Sequence, residues 1–359
     1  MSENLKQRIR EDIAINGPMP LSRYMNICLG DPQDGYYTSQ DPFGLAGDFT
    51  TAPEISQMFG ELIGAWLIEA WEKLGAPTQC RLVELGPGRG TLMADCLRSI
   101  SLKPKMLAAL QIEMVEISPV LIAEQQKKLS GSQCAVRWCE QLDAAELPTL
   151  IVANEFYDAL PVHVMIKSNS KIYERHVVAT DDDGLGFSDL PATLPKTALP
   201  DFNKIPENTV FELSPERHQM TQNLAKALTI CGGAALMIDY GFLQPKSGTT
   251  FQALKNHQPV DPLDSPGNAD LTSLVDFTAL QNGFQALGLN VHGPTSQMDF
   301  LLNLGLLERA GHLGAAADQV TRTTLQKAVT RLVAPDEMGT LFKVIAATTF
   351  NDSMPGFGE

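Results

Sequence analysis

Apolar residues recur at intervals of three and four from Ile55 through Met58, Phe59, Leu62, Ile63, Trp66, Leu67, Ala70 and Trp71 to Leu74. That spacing turns them onto one face of an α-helix and requires the face to be buried, so its aromatics are assigned to core packing. Thr51-Ala52-Pro53-Glu54 reads as a capping box in front of this helix, and Gly75 closes it. Residues 3–15 carry a shorter amphipathic pattern that ends at Asn16-Gly17-Pro18. A Gly-, Pro- and Asp-rich stretch then runs to Gly47; its length suits a lid or binding segment, or equally a plain N-terminal extension.

From Arg81, short apolar runs alternate with helical patterns: Arg81–Leu85, Thr91–Ile100, Gln111–Ile117, Pro119–Leu129, Ala135–Trp138 and Thr149–Ala153. This is the rhythm of a doubly wound parallel sheet. It breaks over 162–213, where Val162–Lys167, Lys171–Val178 and Thr209–Leu213 read as strands of an insertion. A helix near Glu216–Leu228 and a strand at Ala234–Asp239 resume the alternation. After a Pro-, Gly- and Asp-rich loop from Gln244 to Asp270, helices near Ser273–Leu287, Gln297–Leu307 and Ala316–Leu332 precede a last strand, Leu341–Ala347. The expected organisation is an N-terminal helical or lid segment, 1–75, and a core, 76–359, interrupted at about 162–213. The apolar helix 297–307 is expected to pack internally, with a homodimer interface as the alternative.

Composition narrows the partners. The 42 acidic against 27 basic residues give a formal charge of −15, which repels phosphate backbones and anionic lipids and favours cationic substrates, so no nucleic acid is expected. The six cysteines form no C-x-x-C pair, and neither they nor the six scattered histidines suggest a metal site; free thiols in a reducing compartment are expected. The first residues mix both charge signs without an apolar core, and no run of about 18 apolar residues follows, so a cytoplasmic chain without membrane insertion is expected.

The strongest chemical signal is Leu82-Val83-Glu84-Leu85-Gly86-Pro87-Gly88-Arg89-Gly90-Thr91, a strand running into a glycine-rich turn that opens a helix. Gly86, Gly88 and Gly90, with Pro87 between, let the backbone turn sharply and approach a nucleoside. A dinucleotide site asks for G-x-G-x-x-G, whereas the spacing here is G-x-G-x-G. Glu84 would also repel a pyrophosphate but accept from the cationic amino-acid end of S-adenosylmethionine, which becomes the expected cofactor. At the end of the second strand, Glu116, followed by Ile117, is placed to accept the ribose hydroxyls. After the third, Trp138-Cys139-Glu140-Gln141 sits where an adenine would be covered, Glu140 or Gln141 meeting its amine; a packed tryptophan explains the run as well. The fourth strand ends in Ala153-Asn154-Glu155-Phe156-Tyr157-Asp158-Ala159-Leu160-Pro161, setting an amide and two carboxylates at the same sheet edge. Glu155 and Asp158 suit a guanidinium acceptor, with Asn154 beside them; capping of the next turn is the simpler alternative.

Taken with Gly47-Asp48-Phe49-Thr50-Thr51-Ala52-Pro53-Glu54-Ile55-Ser56, Ile238-Asp239-Tyr240-Gly241, Ala269-Asp270-Leu271-Thr272 and Met338-Gly339-Thr340-Leu341-Phe342-Lys343, these motifs resemble the MidA-like S-adenosylmethionine-dependent methyltransferases, whose mitochondrial members are complex I assembly-factor protein arginine methyltransferases. The resemblance spans most of the chain. It implies an α/β class I methyltransferase fold, a doubly wound, mostly parallel seven-stranded sheet with an N-terminal helical segment and a β-rich insertion. It also implies S-adenosylmethionine as cofactor, closure of its site by Asp48-Phe49-Thr50 with Thr51 in contact, and a protein acceptor such as a complex I subunit. The mitochondrial relatives act in the matrix; without a transit-peptide pattern here, a bacterial cytoplasmic member is expected. No paired-glutamate hairpin of the better-known arginine methyltransferases is present, so arginine specificity rests on the resemblance alone. A small-molecule acceptor, or a non-catalytic assembly chaperone that binds the cofactor, remain the alternatives.

Overall fold

The computed structural model describes residues 2–39, 51–143, 146–192, 194, 205–244 and 246–358. Strands β1 (Cys80–Leu85), β2 (Leu110–Val115), β3 (Ala135–Cys139), β4 (Thr149–Asn154), β5 (Gly233–Phe242), β6 (Asn290–Ser296) and β7 (Phe342–Thr348) form the central sheet in the order β6-β7-β5-β4-β1-β2-β3. All run parallel except β7, which is antiparallel to both neighbours. A two-residue strand, Val275–Asp276, pairs with the end of β5.

The described helices that bear on the site are α1 (Ser2–Asn16), α2 (Leu21–Gly30), α3 (Gln57–Lys73), α4 (Thr91–Ile100), α5 (Pro119–Lys128), α6 (Pro215–Cys231), α7 (Phe277–Ala286) and α8 (Gln297–Asn303). Alternation along each strand divides the core. Leu82 and Leu150 face one side, with Trp66 and Leu67 of α3 and Leu92 of α4. Val83 and Ile151 face the other, with Leu224 of α6 and Phe277 of α7. Because both faces are covered, β4 is buried at every position and reads as a continuous apolar run, as parallel sheets do.

The insertion forms a second sheet from His163–Ser168, Lys171–Ala179, Leu185–Pro191 and Thr209–Leu213, and its strand 171–179 also pairs with Met19–Pro20 from the N-terminal segment. Leu5 and Ile9 of α1, Tyr24 and Met25 of α2, and Val164 and Val177 of the insertion share one small core. The N-terminal helices thus dock on the insertion.

Four local expectations are corrected. The Gly/Pro-rich stretch contains α2, whose buried Leu21, Tyr24, Met25, Cys28 and Leu29 keep a helical period between Pro20 and Asp31. Thr51 does not cap the long helix: it precedes a separate turn, Ala52–Ile55, while Ser56 caps α3 by accepting from Met58 N at 3.2 Å. Glu54 instead accepts from the Thr91 hydroxyl, because the break at Ser56 swings it toward α4. The expected helix 297–307 ends at Asn303, where left-handed Gly305 (φ 89°) starts a second helix, Leu306–Ala315. Within α8, Phe300 and Leu301 are buried in the core. Among the described residues no helix is long and apolar enough to cross a membrane.

Candidate active site

The chemistry-bearing residues converge where β1, β2, β4 and β5 end. Between β1 and α4, Gly86, Gly88 and Gly90 all have left-handed backbone (φ 59°, 53° and 75°), a conformation that any Cβ would strain. A Cβ on Gly86 would also lie 2.9 Å from the Phe156 ring. Glu84, at the end of β1, is buried, and burial pushes its carboxyl up to about 8 against the pull of the Met93 amide. Its Oε2 and the Oδ1 of Asn154 are buried without a hydrogen-bond partner among the described residues. Both side chains line a small recess with Thr51, Glu54, Gly86 and Arg89. Two orphaned acceptor atoms beside a turn whose three glycines carry no Cβ fit an ammonium group next to a nucleoside, as S-adenosylmethionine presents.

Beyond β2, Glu116 is more constrained than a strand-end acid free to take two hydroxyls. Its Oε1 accepts from Ile117 N (2.8 Å) and Ser118 N (2.9 Å), and its Oε2 from Gln125 Nε2 (3.2 Å). Burial raises its pKa while those donors lower it. Gln125 of α5 also donates to Gly88 O at 2.6 Å and accepts from Trp138 Nε1 at 2.8 Å, tying the glycine turn, the acid and the third strand together. Trp138 is therefore held by α5 and packs on the main core rather than standing free as an adenine cover. Ile117, 53% exposed, and Glu140, exposed, sit on the cleft wall with Leu142.

At the end of β4, Glu155 adopts a left-handed backbone (φ 51°), its N–H donating to Ile238 O at 2.9 Å. Its carboxyl accepts from Asn154 Nδ2 (3.0 Å) and Ala52 N (3.3 Å). Burial, with Asp158 nearby, pushes it up to about 7; burial pushes Asp158 up to about 6 while Arg217 pulls it down. Tyr37, from the N-terminal segment, donates to Asp270 Oδ1 at 2.8 Å. Glu155, Asp158, Asp270, Tyr37 and Tyr240 line one end of a cleft of about 380 Å³, whose other end is Glu116, Ile117 and Leu142. The glycine turn and Thr51 lie between. Thr50, with Asp48 and Phe49, lies outside the described residues.

Six polar residues here escaped assignment: Gln125, Arg217, Asp239, Tyr240, Tyr37 and Asp270. Asp239, Tyr240 and Asp270 stood inside motifs already noted, and for Asp239 an acid closing the apolar run Ala234–Asp239 was the available signal. Gln125 and Arg217 lie on helices, where a polar residue signals nothing.

The family whose description reads "Putative S-adenosyl-L-methionine-dependent methyltransferase" matches residues 62–295. The chain belongs to this family. It is 36% identical over 371 residues to the Drosophila melanogaster protein arginine methyltransferase NDUFAF7 homolog, mitochondrial, covering 96% of this chain and 84% of that one. It is 33% identical over 374 residues to the Danio rerio protein arginine methyltransferase NDUFAF7, mitochondrial, covering 96% of this chain and 86% of that one. A Burkholderia thailandensis structure bound to S-adenosyl-homocysteine aligns with a TM-score of 0.87 at 30% identity, over 99% of this chain and 94% of that one. The fold is thus that of the class I methyltransferases carrying an insertion, and the methyltransferase uses S-adenosylmethionine as its cofactor.

Proposed function

We propose that this methyltransferase modifies an arginine side chain of a protein, and that its acceptor is a respiratory complex I subunit, as the family resemblance implies. The observation that carries the reading is the acidic, tyrosine-lined end of the cleft, where Glu155, Asp158 and Asp270 converge. The nearby cation, Arg217, directs its N–H groups to backbone carbonyls. Such an end attracts a cation and offers planar carboxyls for a guanidinium fork. The relatives' names, which describe protein arginine methyltransferases, support the same acceptor.

S-adenosylmethionine supplies a methyl group already activated by its sulfonium, so the chain's part is mainly placement. Glu84, Asn154 and the glycine turn hold the cofactor's polar end and nucleoside. Glu116, steadied by Gln125, is placed for the ribose, with Ile117 and Glu140 toward the base. Glu155 faces both the small recess and the cleft, so it orients the acceptor nitrogen toward the methyl donor. With its pKa near 7, it also accepts a proton as the nitrogen gains a methyl group. Asp158 holds the far side of the guanidinium.

The test is transfer from methyl-labelled S-adenosylmethionine to matched peptides carrying arginine, lysine or ornithine, and to complex I subunits. Label on arginine alone is the expected result. Label on lysine or on a small molecule reassigns the acceptor, and cofactor binding without any transfer supports a scaffold. Glu155→Gln should leave cofactor affinity within a few-fold and lower transfer about 100-fold.

A further inference from the structure

Asp239 lies behind the acceptor end of the cleft, 2% exposed. Its Oδ2 accepts from three successive amides, Phe156 N at 3.1 Å, Tyr157 N at 2.8 Å and Asp158 N at 3.1 Å, and its Oδ1 accepts from Tyr240 N at 2.8 Å. A backbone N–H only donates, so both oxygens of Asp239 serve as acceptors; burial, with Asp158 and Glu155 nearby, pushes this carboxyl well above its ordinary range, against the pull of Arg217 and the Asp158 amide. From the opposite side comes Arg217, in the first turn of α6. Its Nε donates to Tyr157 O (2.8 Å) and its Nη2 to Asp158 O (3.3 Å). Its Nη1 reaches Leu274 O (3.0 Å), and Nη2 also reaches Ser273 O (3.0 Å) and Ser273 Oγ (2.7 Å).

One carboxyl therefore gathers the amides of the turn after β4 while one guanidinium gathers its carbonyls, and the guanidinium also grips the loop that follows Asp270. Ser273 N donates to Asp158 O at 3.1 Å, closing the link between the two loops. That turn needs holding. Glu155 has a left-handed backbone that a residue with a Cβ adopts at a cost, and the turn brings buried acids together at one edge. We infer that Asp239 and Arg217 are positioning residues, a paired clamp that fixes Glu155, Asp158 and the Asp270 loop in the arrangement the acceptor meets. The inference rests on the proposed role of the Glu155–Asp158 turn, but the clamp can be measured without any acceptor.

Hydrogen exchange and ¹³C carboxyl titration on the full chain provide that measurement, for Asp239→Asn, Arg217→Gln and Arg217→Lys. In Asp239→Asn the amides of 156–158 should exchange at least about tenfold faster while the rest of the sheet keeps its protection. Arg217→Gln should move the titration midpoint of Asp158 upward, because a neighbouring cation is lost, and Arg217→Lys should leave it closer to the native value. Calorimetric affinity for S-adenosylmethionine should stay within about threefold in all three variants, since neither side chain lines the cofactor end. With an arginine peptide that accepts label from the native enzyme, kcat should fall at least about tenfold while KM changes little. Unchanged exchange at 156–158 and an unchanged Asp158 midpoint in folded variants would overturn the clamp. If Asp239→Asn does not fold, the two Arg217 variants carry the decision. If no arginine peptide is methylated by the native enzyme, the acceptor reading falls while exchange and titration still judge the clamp.

Discussion

Glu155 shows how a residue's backbone and its chemistry constrain each other. With φ at 51° it occupies a region where glycine sits without strain, yet its carboxyl is the group shared by the small recess and the larger cleft. Removing the carboxyl separates the two demands. Glu155→Gly should be more stable than Glu155→Ala by about 1 kcal/mol, because alanine keeps the Cβ that makes the left-handed backbone costly. Urea denaturation of both variants checks this, and an alanine variant as stable as the glycine one would mean the turn relaxes once the side chain is gone. Legibility at this scale follows the same division. Glu84, Asn154, Glu155 and Asp158 stand out in the sequence because each polar side chain ends or follows an apolar strand. Gln125, Tyr37 and Arg217 do not, since their significance depends on which distant backbone or side-chain atoms they reach, and local pattern holds no record of that.

Across elements, Glu113 explains an acid placed inside a buried strand. Its Oε1 pairs with Arg137, its register partner on β3, at 2.8 Å, and its Oε2 reaches diagonally to Arg81 of β1, two residues off register, at 3.0 Å, so the three residues bridge adjacent strands. Arg81 is itself buried and also donates to Asp143 O and Thr149 Oγ1, linking β1 to β4. Glu113→Ala leaves the Arg81 guanidinium buried with part of its compensation gone, and should cost about 3 kcal/mol. The cost should fall sharply in the double variant with Arg81→Met, because no uncompensated charge then remains; additive losses in a double-mutant cycle would show that the two charges are not coupled. Elements with an uninterrupted period were readable: β1, β2, β4 and α3 stand close to where the apolar spacing puts them. The misses are elements whose period is present but punctuated. Helix α2 follows Pro20 without a side-chain cap, and β6 contains Gly293-Pro294 with a register shift between His292 and Thr295. In both cases the surrounding fold supplies the order that local signals deny, through packing on the insertion for α2 and pairing with β7 for β6.

For the whole molecule, function and stability meet in the protonation of the buried acids. Burial raises Glu84 from 4.5 to about 8, Glu155 from 4.5 to about 7, and Asp158 and Asp95 from 3.8 to about 6. Each folded group holds its proton at pH values where the unfolded chain has released it. Since the folded state then binds more protons, stability falls as pH rises: the contribution is full below the ordinary carboxylate range and is lost progressively up to about pH 8. The surplus of negative charge, −15 at pH 7, adds repulsion in the same direction. Cofactor binding should act against this trend. A cationic amino group beside Glu84 and the orphaned Asn154 Oδ1 favours the ionised carboxyl, so binding releases a proton and the stabilisation by S-adenosylmethionine grows from pH 6 to pH 8. Calorimetric Tm values measured across that interval, with and without S-adenosylmethionine, give both slopes. Glu84→Gln should flatten the cofactor-free slope and remove most of the pH dependence of the cofactor's increment, while the contributions of Glu155 and Asp158 at lower pH persist. A cofactor-free Tm that climbs with pH, or an increment equally pH-dependent in Glu84→Gln, would move the proton exchange to another group and detach Glu84 from the cofactor's amino end.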